Sequence, residues 1–478
     1  MENFWEYRNW GFLSIIAILL MSLLVANALK RRVKFIKASL IPTSVLGGTI
    51  LLVISTVYNL ITDDIMFDTA FFGGGGMAYF EMITYHTLAL GFIAATLKTT
   101  KTHLNKKRTK EIFNTGVTTV STYLLQGTLG LAVTIIAGFF IKDFFTGSGI
   151  LLAFGFGQGT GQAMNYGMIY EEQGFVGGKS FGLTVAAIGF LVASFGGVIH
   201  MNVLKRTGKL IKHSDKLEDI DMNEVQAPND IPMTESVDKI TIQLALIMMT
   251  YFITYDAMAL LAKIIPGMRS LVYGFNFLLG VLLATVVKLS MNFMRKKDIL
   301  HHDYANNFLL TRLSNFFFDI MVVSGIAAIR LDLVKNYIGI LIIVCVVGAT
   351  ATYLYNRFVA KKFFSRYSEE QFMAMYGMLT GTASTGIILL REIDSEFKSP
   401  AADNLVYQNF PAIVFGFPLM FLANWCPQNP VAVLFILLAF FVLMNIILFR
   451  DFIFKNKRIA HIITALRKQQ KSDGGSEK

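Results

Sequence analysis

Charged residues are scarce in this sequence, which limits the kind of protein it can be. Asp, Glu, Lys and Arg make up 16% of the 478 residues and hydrophobic residues 54%, against about 25% and 45–50% in a typical soluble domain. This deficit excludes a soluble enzyme. Cysteine occurs only as Cys345 and Cys426, so a disulfide framework and a CxxC metal or redox motif are also excluded.

The common catalytic and nucleotide-binding signatures are missing as well. The sequence contains no HExxH, Walker A or GxSxG pattern, which are the motifs of zinc proteases, P-loop proteins and serine hydrolases. His86 and His200 have no further ligands at metal spacing, and we interpret both as packing residues. We therefore predict a protein that is not an enzyme and has no cofactor.

What the sequence does contain is a series of long uncharged runs. A helix needs about 20 mostly apolar residues to cross the hydrocarbon layer of a bilayer. The last run is long enough for two helices, and prolines at 427 and 430 predict a turn between them. We predict an all-α polytopic membrane protein whose crossing segments lie in the runs 9–29, 38–62, 82–97, 112–141, 180–204, 240–262, 270–287, 313–329, 336–356 and 404–449.

The basic residues predict the orientation of these helices. When the base-rich loops are placed on one side, 36 of the 43 Lys and Arg residues lie there and 7 lie on the other side. Because positively charged loops stay in the cytoplasm, we expect the N-terminus outside and the C-terminus inside. The formal charge of +11 is thus explained by topology and does not indicate a nucleic-acid partner.

Two further uncharged runs, 144–170 and 371–390, are interrupted by glycines. Lys142 is predicted outside and Lys205 inside, and the run 180–204 already supplies the crossing between them. The run 144–170 must therefore enter and leave the membrane on the outer side. By the same argument the run 371–390 enters and leaves on the cytoplasmic side, so the pattern predicts two opposed re-entrant hairpins.

The two hairpins also indicate an internal repeat. Residues 159–163 align with residues 381–385 at an offset of 222, and matched helices run in opposite directions. This is the inverted-topology plan of secondary transporters, although chance similarity of Gly/Thr-rich segments is an alternative. We predict a repeat of five helices and one hairpin over 1–204, a cytoplasmic linker over 205–239, a second such repeat over 240–426, an extra transmembrane helix over 430–450 and a basic cytoplasmic tail over 451–478.

The first hairpin has the composition of a binding site. Glycines let the backbone leave helical geometry, which at membrane depth is tolerated only where the backbone lines a cavity or is buried in protein. Freed amides favour an anion, whereas freed carbonyls with Thr, Gln and Asn oxygens suit Na⁺. Close packing of small residues between helices is the alternative. We assign substrate binding to Gly157, Gln158, Gly159, Thr160, Gly161 and Asn165, and we also assign Thr160 to sodium.

The second hairpin has more hydroxyl groups and fewer glycines. Its hydroxyls either coordinate Na⁺ or bond back to carbonyls of their own helix. The helix that follows carries side-chain amides that we expect to face the hairpin tip. We assign Gly381, Thr382, Ser384 and Thr385 to substrate, and Thr380, Thr382, Asn404 and Asn409 to sodium.

Asp319 is the one acid inside its membrane run. An intramembrane carboxylate is a functional candidate, as a cation ligand or proton carrier, and we include it in the sodium set. The alternative is a structural partner of Arg312. Gln126, in the middle of the fourth crossing, either serves the site or bonds a neighbouring helix.

Three segments together resemble the bacterial sodium/glutamate symporter family. They are Ile41-Pro42-Thr43-Ser44-Val45-Leu46-Gly47-Gly48, Gly157-Gln158-Gly159-Thr160-Gly161 and Tyr170-Glu171-Glu172-Gln173-Gly174-Phe175. The resemblance is specific at the second segment, where the family carries Gly-x-Gly-Thr-Gly, and extends to about Pro430.

This resemblance implies a bacterial inner-membrane protein, a homodimer built on a scaffold domain and a mobile transport domain that holds both hairpins. It implies uptake of L-glutamate with Na⁺ as the coupling ion. The alternatives are transport of another dicarboxylate or organic anion coupled to Na⁺ or H⁺, and a passive channel, which also uses re-entrant hairpins.

Overall fold

The computed structural model describes residues 5–98, 105–208, 237–300, 302–394 and 397–453. Most of the predicted linker and basic tail lies outside these residues. Within them every regular element is helical, which confirms the all-α class. The main helices are α1 Tyr7–Arg32, α2 Thr43–Thr62, α3 Gly76–Leu97, α4 Lys106–Gly138, α5 Leu151–Gln158, α6 Thr160–Glu172, α7 Gly178–Arg206, α8 Lys239–Ile264, α9 Asn276–Lys296, α10 Asn307–Ala327, α11 Ile338–Phe363, α12 Ser368–Thr380, α13 Ala383–Arg391, α14 Asn409–Trp425 and α15 Pro430–Leu448.

The protein is a multi-pass membrane protein. In the described part of the chain, ten helices are long and apolar enough to cross a bilayer, and an eleventh span results if the short helix Ala401–Tyr407 is counted with 411–425, from which it is bent by 51°. Large apolar side chains on the outer helices are exposed, for example Leu60 at 79% and Leu24 at 70%. Such surfaces are stable in lipid and unfavourable in water.

Helix α4 is central to the packing. Its N-cap is Asn105, whose side chain accepts a hydrogen bond from the Arg108 amide at 2.9 Å, as is typical of asparagine at a helix start. One face carries hydroxyl residues that donate to the carbonyl one turn earlier, such as Thr118 to Asn114 at 2.7 Å and Thr122 to Thr118 at 2.8 Å. These bonds satisfy buried polar groups inside an apolar protein.

Helices α3 and α10 form a closely packed antiparallel pair. The Ser314 hydroxyl donates to the Gly91 carbonyl at 2.9 Å, and the Ser324 hydroxyl donates to the Phe80 carbonyl at 2.7 Å. Each bond reaches from α10 to the backbone of α3. The first glycine-broken segment packs against this pair, where a Cβ on Gly161 would contact both Leu88 of α3 and Met321 of α10.

Both glycine-broken segments are helical hairpins. In hairpin 1 (α5, Gly159 and α6), the rings of Phe154 and Tyr166 stack with centroids 4.0 Å apart on either side of the break, so the two legs run antiparallel. In hairpin 2 (α12, residues 381–382 and α13), a Cβ placed on Gly377 would lie 2.7 Å from the Gly386 Cα. Only glycine allows the legs of hairpin 2 to approach this closely.

Candidate functional site

The tips of the two hairpins meet. A Cβ placed on Gly159 would lie 3.3 Å from Cγ2 of Thr382, and Gly159 has φ +81° and ψ −170°, a conformation essentially restricted to glycine. Around the junction, Gln158, Thr382 and Ser384 are half-buried whereas most of the surrounding hairpin residues are buried. The structure therefore brings these predicted substrate residues to one place.

Four helix ends converge at this junction. Helices α5 and α12 end there, while α6 and α13 begin there. Carbonyls without intrahelical partners give the first two ends partial negative charge, and free amides give the other two partial positive charge. The junction thus offers ligands of both signs, as helix breaks in secondary transporters do.

Gln126 of α4 contacts both hairpins. Its side-chain nitrogen donates to the Leu379 carbonyl in hairpin 2 at 2.8 Å and to the Thr352 hydroxyl at 2.9 Å. Its oxygen has no hydrogen-bond partner in the described structure and lies 3.2 Å from a Cβ placed on Gly157 in hairpin 1. Because both amide hydrogens are used, the fully buried side chain presents a free oxygen acceptor beside the tips.

In hairpin 1, the glycines allow close packing as well as the break. A Cβ on Gly157 would lie 2.3 Å from the Tyr123 ring, and one on Gly161 would lie 2.9 Å from Leu88. The Thr160 hydroxyl donates to the Met321 carbonyl of α10 at 3.3 Å. Both interpretations of the glycines, as a helix break and as a packing surface, therefore hold in the same segment.

Asn165 lies more than one turn from the tip. Its side-chain nitrogen donates to the Gly274 carbonyl at 3.4 Å, while its oxygen has no partner among the described residues. The structure therefore places Asn165 towards the start of α9. It is a neighbour of the tip junction and not part of it.

In hairpin 2, the hydroxyl groups divide into two kinds. Thr380 donates to the Tyr376 carbonyl of its own helix at 2.7 Å, the back-bonded arrangement that the sequence left open. The hydroxyls of Thr382 and Thr385 lie 3.3 Å apart, and a Cβ on Gly381 would lie 3.0 Å from the Thr385 oxygen. Thr382 and Thr385 thus form a hydroxyl pair at the tip.

Asp319 lies at the depth of the tips but on another side of α10. It is two residues from Met321, which accepts the Thr160 hydroxyl, and its carboxylate lies close to the Ser44 side chain at the start of α2. The guanidinium of Arg312 lies over the Phe308 ring, 5.1 Å from its centroid. Asp319 therefore lies near the start of α2, and Arg312 has a different neighbour.

Asn404 and Asn409 are not at the tips. Asn404 donates to Gln371 at 2.8 Å and to the Tyr367 hydroxyl at 3.1 Å. Gln371 is in the first turn of α12, about 13 Å along the helix from Thr380 at a rise of 1.5 Å per residue. Asn409 is exposed and accepts from the Gln408 amide at 3.1 Å. The predicted sodium residues are thus divided among the tips, the α2–α10 contact and the base of hairpin 2.

Gln162 is a candidate that sequence reasoning did not assign. It lies in the first turn of α6, is 1% exposed, and neither atom of its amide has a partner in the described part of the protein. A buried, unpaired amide next to the tip calls for a ligand or water. The sequence signal that could have identified Gln162 is a polar amide inside an uncharged run, and Gln158 and Asn165 carry the same signal.

A cavity among the described residues lies away from the tips. It has a volume of about 570 Å³ and opens beside the end of α6, where Ile169, Glu172, Leu271 and Trp425 line it. No group of three or more His, Cys, Asp or Glu side chains in the described ranges is placed to hold a metal ion. The tip junction, with its oxygens and helix ends, is therefore the best candidate site.

Comparison with known proteins adds no family assignment. No protein-family model matches this sequence, and no curated protein matches it.

Proposed function

We propose that the protein is a sodium-coupled secondary active symporter that imports glutamate or a related anionic amino acid across the bacterial plasma membrane. The observation that carries this proposal is the contact between Gly159 and Thr382, which joins the tips of two hairpins. Meeting hairpins with helix ends of both signs are the arrangement by which transporters hold a substrate and its coupling ion.

An inverted repeat and re-entrant hairpins are part of the proposal. Gln126 donates to Thr352, and Asn356 donates to Thr122 at 3.4 Å. If the two halves of the chain are aligned at an offset of 230 residues, Gln126 corresponds to Asn356 and Thr122 corresponds to Thr352. This offset is close to the 222 of the hairpin tips, so the same amide–threonine contact recurs once from each half.

In the proposed mechanism the two signs of helix end have separate tasks. The Gln126 oxygen, the Thr382 hydroxyl and the terminal carbonyls of α5 and α12 coordinate Na⁺, while the first amides of α6 and α13, with Gln158 and Ser384, bind a substrate carboxylate. Opposite charges about 5 Å apart attract by about 3 kcal/mol at an effective dielectric constant of 20. That attraction corresponds to more than a hundredfold change in substrate affinity and supplies the coupling.

Movement of both hairpins as one body would give alternating access. We propose an elevator-type transport domain that contains hairpins 1 and 2, carried by a scaffold that forms a homodimer in the inner membrane, with the N-terminus outside and the C-terminus in the cytoplasm. Support comes from the tip contact itself, which joins the hairpins directly. The hydrogen bond from Thr160 to α10, at 3.3 Å, is long and therefore weak.

Uptake into proteoliposomes tests the function. An inward Na⁺ gradient should drive accumulation of radiolabelled L-glutamate or L-aspartate, and Thr382→Val should raise the Na⁺ concentration for half-maximal uptake at least threefold. Thr382→Ser keeps the hydroxyl and serves as the matched control. Absence of gradient-driven accumulation of both amino acids refutes the substrate assignment, and single-channel currents without accumulation would indicate a channel.

The contact between Asp319 and Ser44 favours a second candidate, transport of a dicarboxylate coupled to H⁺. A carboxylate inside a membrane helix can carry a proton. In this case a pH gradient alone should drive uptake of succinate or malate, and Asp319→Asn should abolish it. Uptake that depends on Na⁺ and persists in Asp319→Asn excludes this candidate.

A further inference from the structure

A second group of unpartnered buried oxygens lies away from the hairpin tips. It lies where three elements meet: α4, the first leg of hairpin 2 (α12) and the helix Ala401–Tyr407. We call this contact region the base seam. A Cβ placed on Gly116 of α4 would lie 3.1 Å from the Gln408 carbonyl, so these elements are in direct contact. The polar side chains of the base seam are Thr115, Thr119, Gln371, Asn404 and Gln408.

A directional relay of hydrogen bonds fixes the orientation of the amides in the base seam. The Thr115 hydroxyl donates to the Glu111 carbonyl at 2.9 Å and so accepts from the Gln371 nitrogen at 3.3 Å. The Gln371 oxygen then accepts from the Asn404 nitrogen at 2.8 Å. Because the Asn404 nitrogen is the atom that donates to Gln371, the Asn404 oxygen, on the other side of the amide, points away from the relay.

Three oxygens in the base seam have no partner. They belong to Asn404, Gln408 and Thr119, whose side chains are 0%, 2% and 0% exposed. The Gln408 nitrogen is used by Asn409 at 3.1 Å and by the Met378 sulfur at 3.3 Å. Asn404 and Gln408 are one helical turn apart and share a face, and Thr119 is one turn beyond Thr115 on the facing side of α4.

The unpartnered groups of the base seam can all bind a ligand through oxygen lone pairs. Each unsatisfied buried acceptor costs about 1–3 kcal/mol, and the unpartnered atoms, as far as the structure describes them, are two amide oxygens, which only accept, and one hydroxyl oxygen, which can also donate. A group that needs several oxygens and offers no lone pair of its own is a cation. Divalent ions bind through carboxylates, whereas the Glu111 carboxylate, one turn before Thr115 on α4, is held by Arg108 at 2.9 Å.

We propose that the base seam binds a monovalent alkali cation, Na⁺ first among them, at a site separate from the hairpin tips. The Asn404, Gln408 and Thr119 oxygens are its ligands. Bound there, the ion joins the first leg of hairpin 2 to α4 and so fixes the base of the hairpin. The site does not depend on the transport activity, and it gives Asn404 a cation-binding role at a different place from the tips.

Thermal unfolding of the purified protein at constant ionic strength tests the site. NaCl should raise Tm by at least about 2 °C relative to choline chloride, because a ligand that binds only the folded state stabilises it. The rise should persist in Gln126→Leu and in Thr382→Val, which alter the tips. It should be smaller in Gln408→Met and in Asn404→Leu than in the parent protein, because only Na⁺ at the tips then stabilises the folded state.

The control is Gln243→Met, which removes a buried glutamine that has partners on both amide atoms, at 2.7 Å to Tyr304 and 3.1 Å from Asn306. This variant should be less stable but should keep the full Na⁺-dependent rise. If Asn404→Leu does not fold, Gln408→Glu should lower the half-maximal Na⁺ concentration about tenfold by adding a charge.

Two results would overturn the proposal. Equal Tm values in NaCl, KCl and choline chloride mean that water fills the base seam. Loss of the Na⁺-dependent rise in both tip variants means that the stabilising ion is at the tips alone. Neither result depends on whether the protein transports glutamate.

Discussion

The side-chain nitrogen of Gln126 donates to the main-chain carbonyl of Leu379 at 2.8 Å, across 253 residues of sequence. The bond joins the middle of α4 to the last turn of the first leg of hairpin 2. Since Leu379 is near the end of its helix, its carbonyl has no partner within the helix, and Gln126 supplies the missing donor. One side chain from the first half of the chain thus completes the backbone of a hairpin in the second half.

Replacing Gln126 by Leu should damage the site and the fold together. The variant loses two hydrogen bonds and leaves the Leu379 carbonyl buried without a donor, which should cost about 1–3 kcal/mol. It also removes the free oxygen, so we expect apparent Na⁺ affinity to fall about tenfold in uptake assays. The comparison is Thr352→Val, which removes one partner but keeps the oxygen, and which should leave Na⁺ affinity within twofold of the parent protein.

Gly159→Ala should abolish transport. The left-handed φ of Gly159 is costly for alanine, by about 1–3 kcal/mol, and the added Cβ would contact Thr382 at 3.3 Å. Gly174→Ala provides a matched control, because Gly174 has φ +96° and nothing within 4 Å of an added Cβ. The control should lose similar stability but keep uptake, and equal uptake by the two variants would show that the tip contact is not needed.

The hairpin breaks were predictable because their signals are local. Gly159 and Gly381 are visible as interruptions of uncharged runs, and the lysine and arginine pattern restricts how such runs can cross. Partner choice was not predictable. Asn404 follows hairpin 2 in sequence and was expected at its tip, yet Ala401–Tyr407 packs along the first leg of the hairpin, so Asn404 meets Gln371. That outcome depends on how helices pack, which no local pattern encodes.

His200 illustrates the same limit. We interpreted it as a packing residue, and the structure shows that its ring packs on Phe372, with centroids 4.5 Å apart, and that it also belongs to a partly buried polar cluster. Its ring nitrogens lie 2.8 Å from the Tyr353 hydroxyl and 3.1 Å from Glu369, which also pairs with Arg357. The four residues come from α7, α11 and α12, so the cluster fixes the base of hairpin 2 to two other helices.

Glu369→Gln should therefore destabilise the protein. Arg357 loses its countercharge while only 17% of its side chain is exposed, and hydrogen bonds to charged groups contribute about 1.5–3 kcal/mol. We expect a Tm decrease of several degrees in thermal unfolding. Glu370→Gln changes the adjacent residue in the same way and should alter stability by less than about 0.5 kcal/mol. Similar decreases in both variants would mean that the cluster is not the cause.

The proposed orientation can be tested by cysteine labelling without removing the native thiols. Cys345 and Cys426 are 2% and 0% exposed. Burial raises the pKa of the Cys426 thiol, in the turn between α14 and α15, to about 12. The reactive thiolate at pH 8 is then about one molecule in ten thousand. We therefore expect the parent protein to stay unlabelled by maleimides until it is denatured.

Because the parent protein should stay unlabelled, labelling of Lys142→Cys and of Lys107→Cys reports on opposite ends of α4. Both positions are exposed, Lys107 with 60% of its side chain accessible. In intact cells a membrane-impermeant maleimide should label only Lys142→Cys, and Lys107→Cys should react only after permeabilisation, because base-rich ends of membrane helices generally stay in the cytoplasm. The reverse pattern would invert the proposed topology and, with it, the sides from which we propose that the two hairpins enter the membrane.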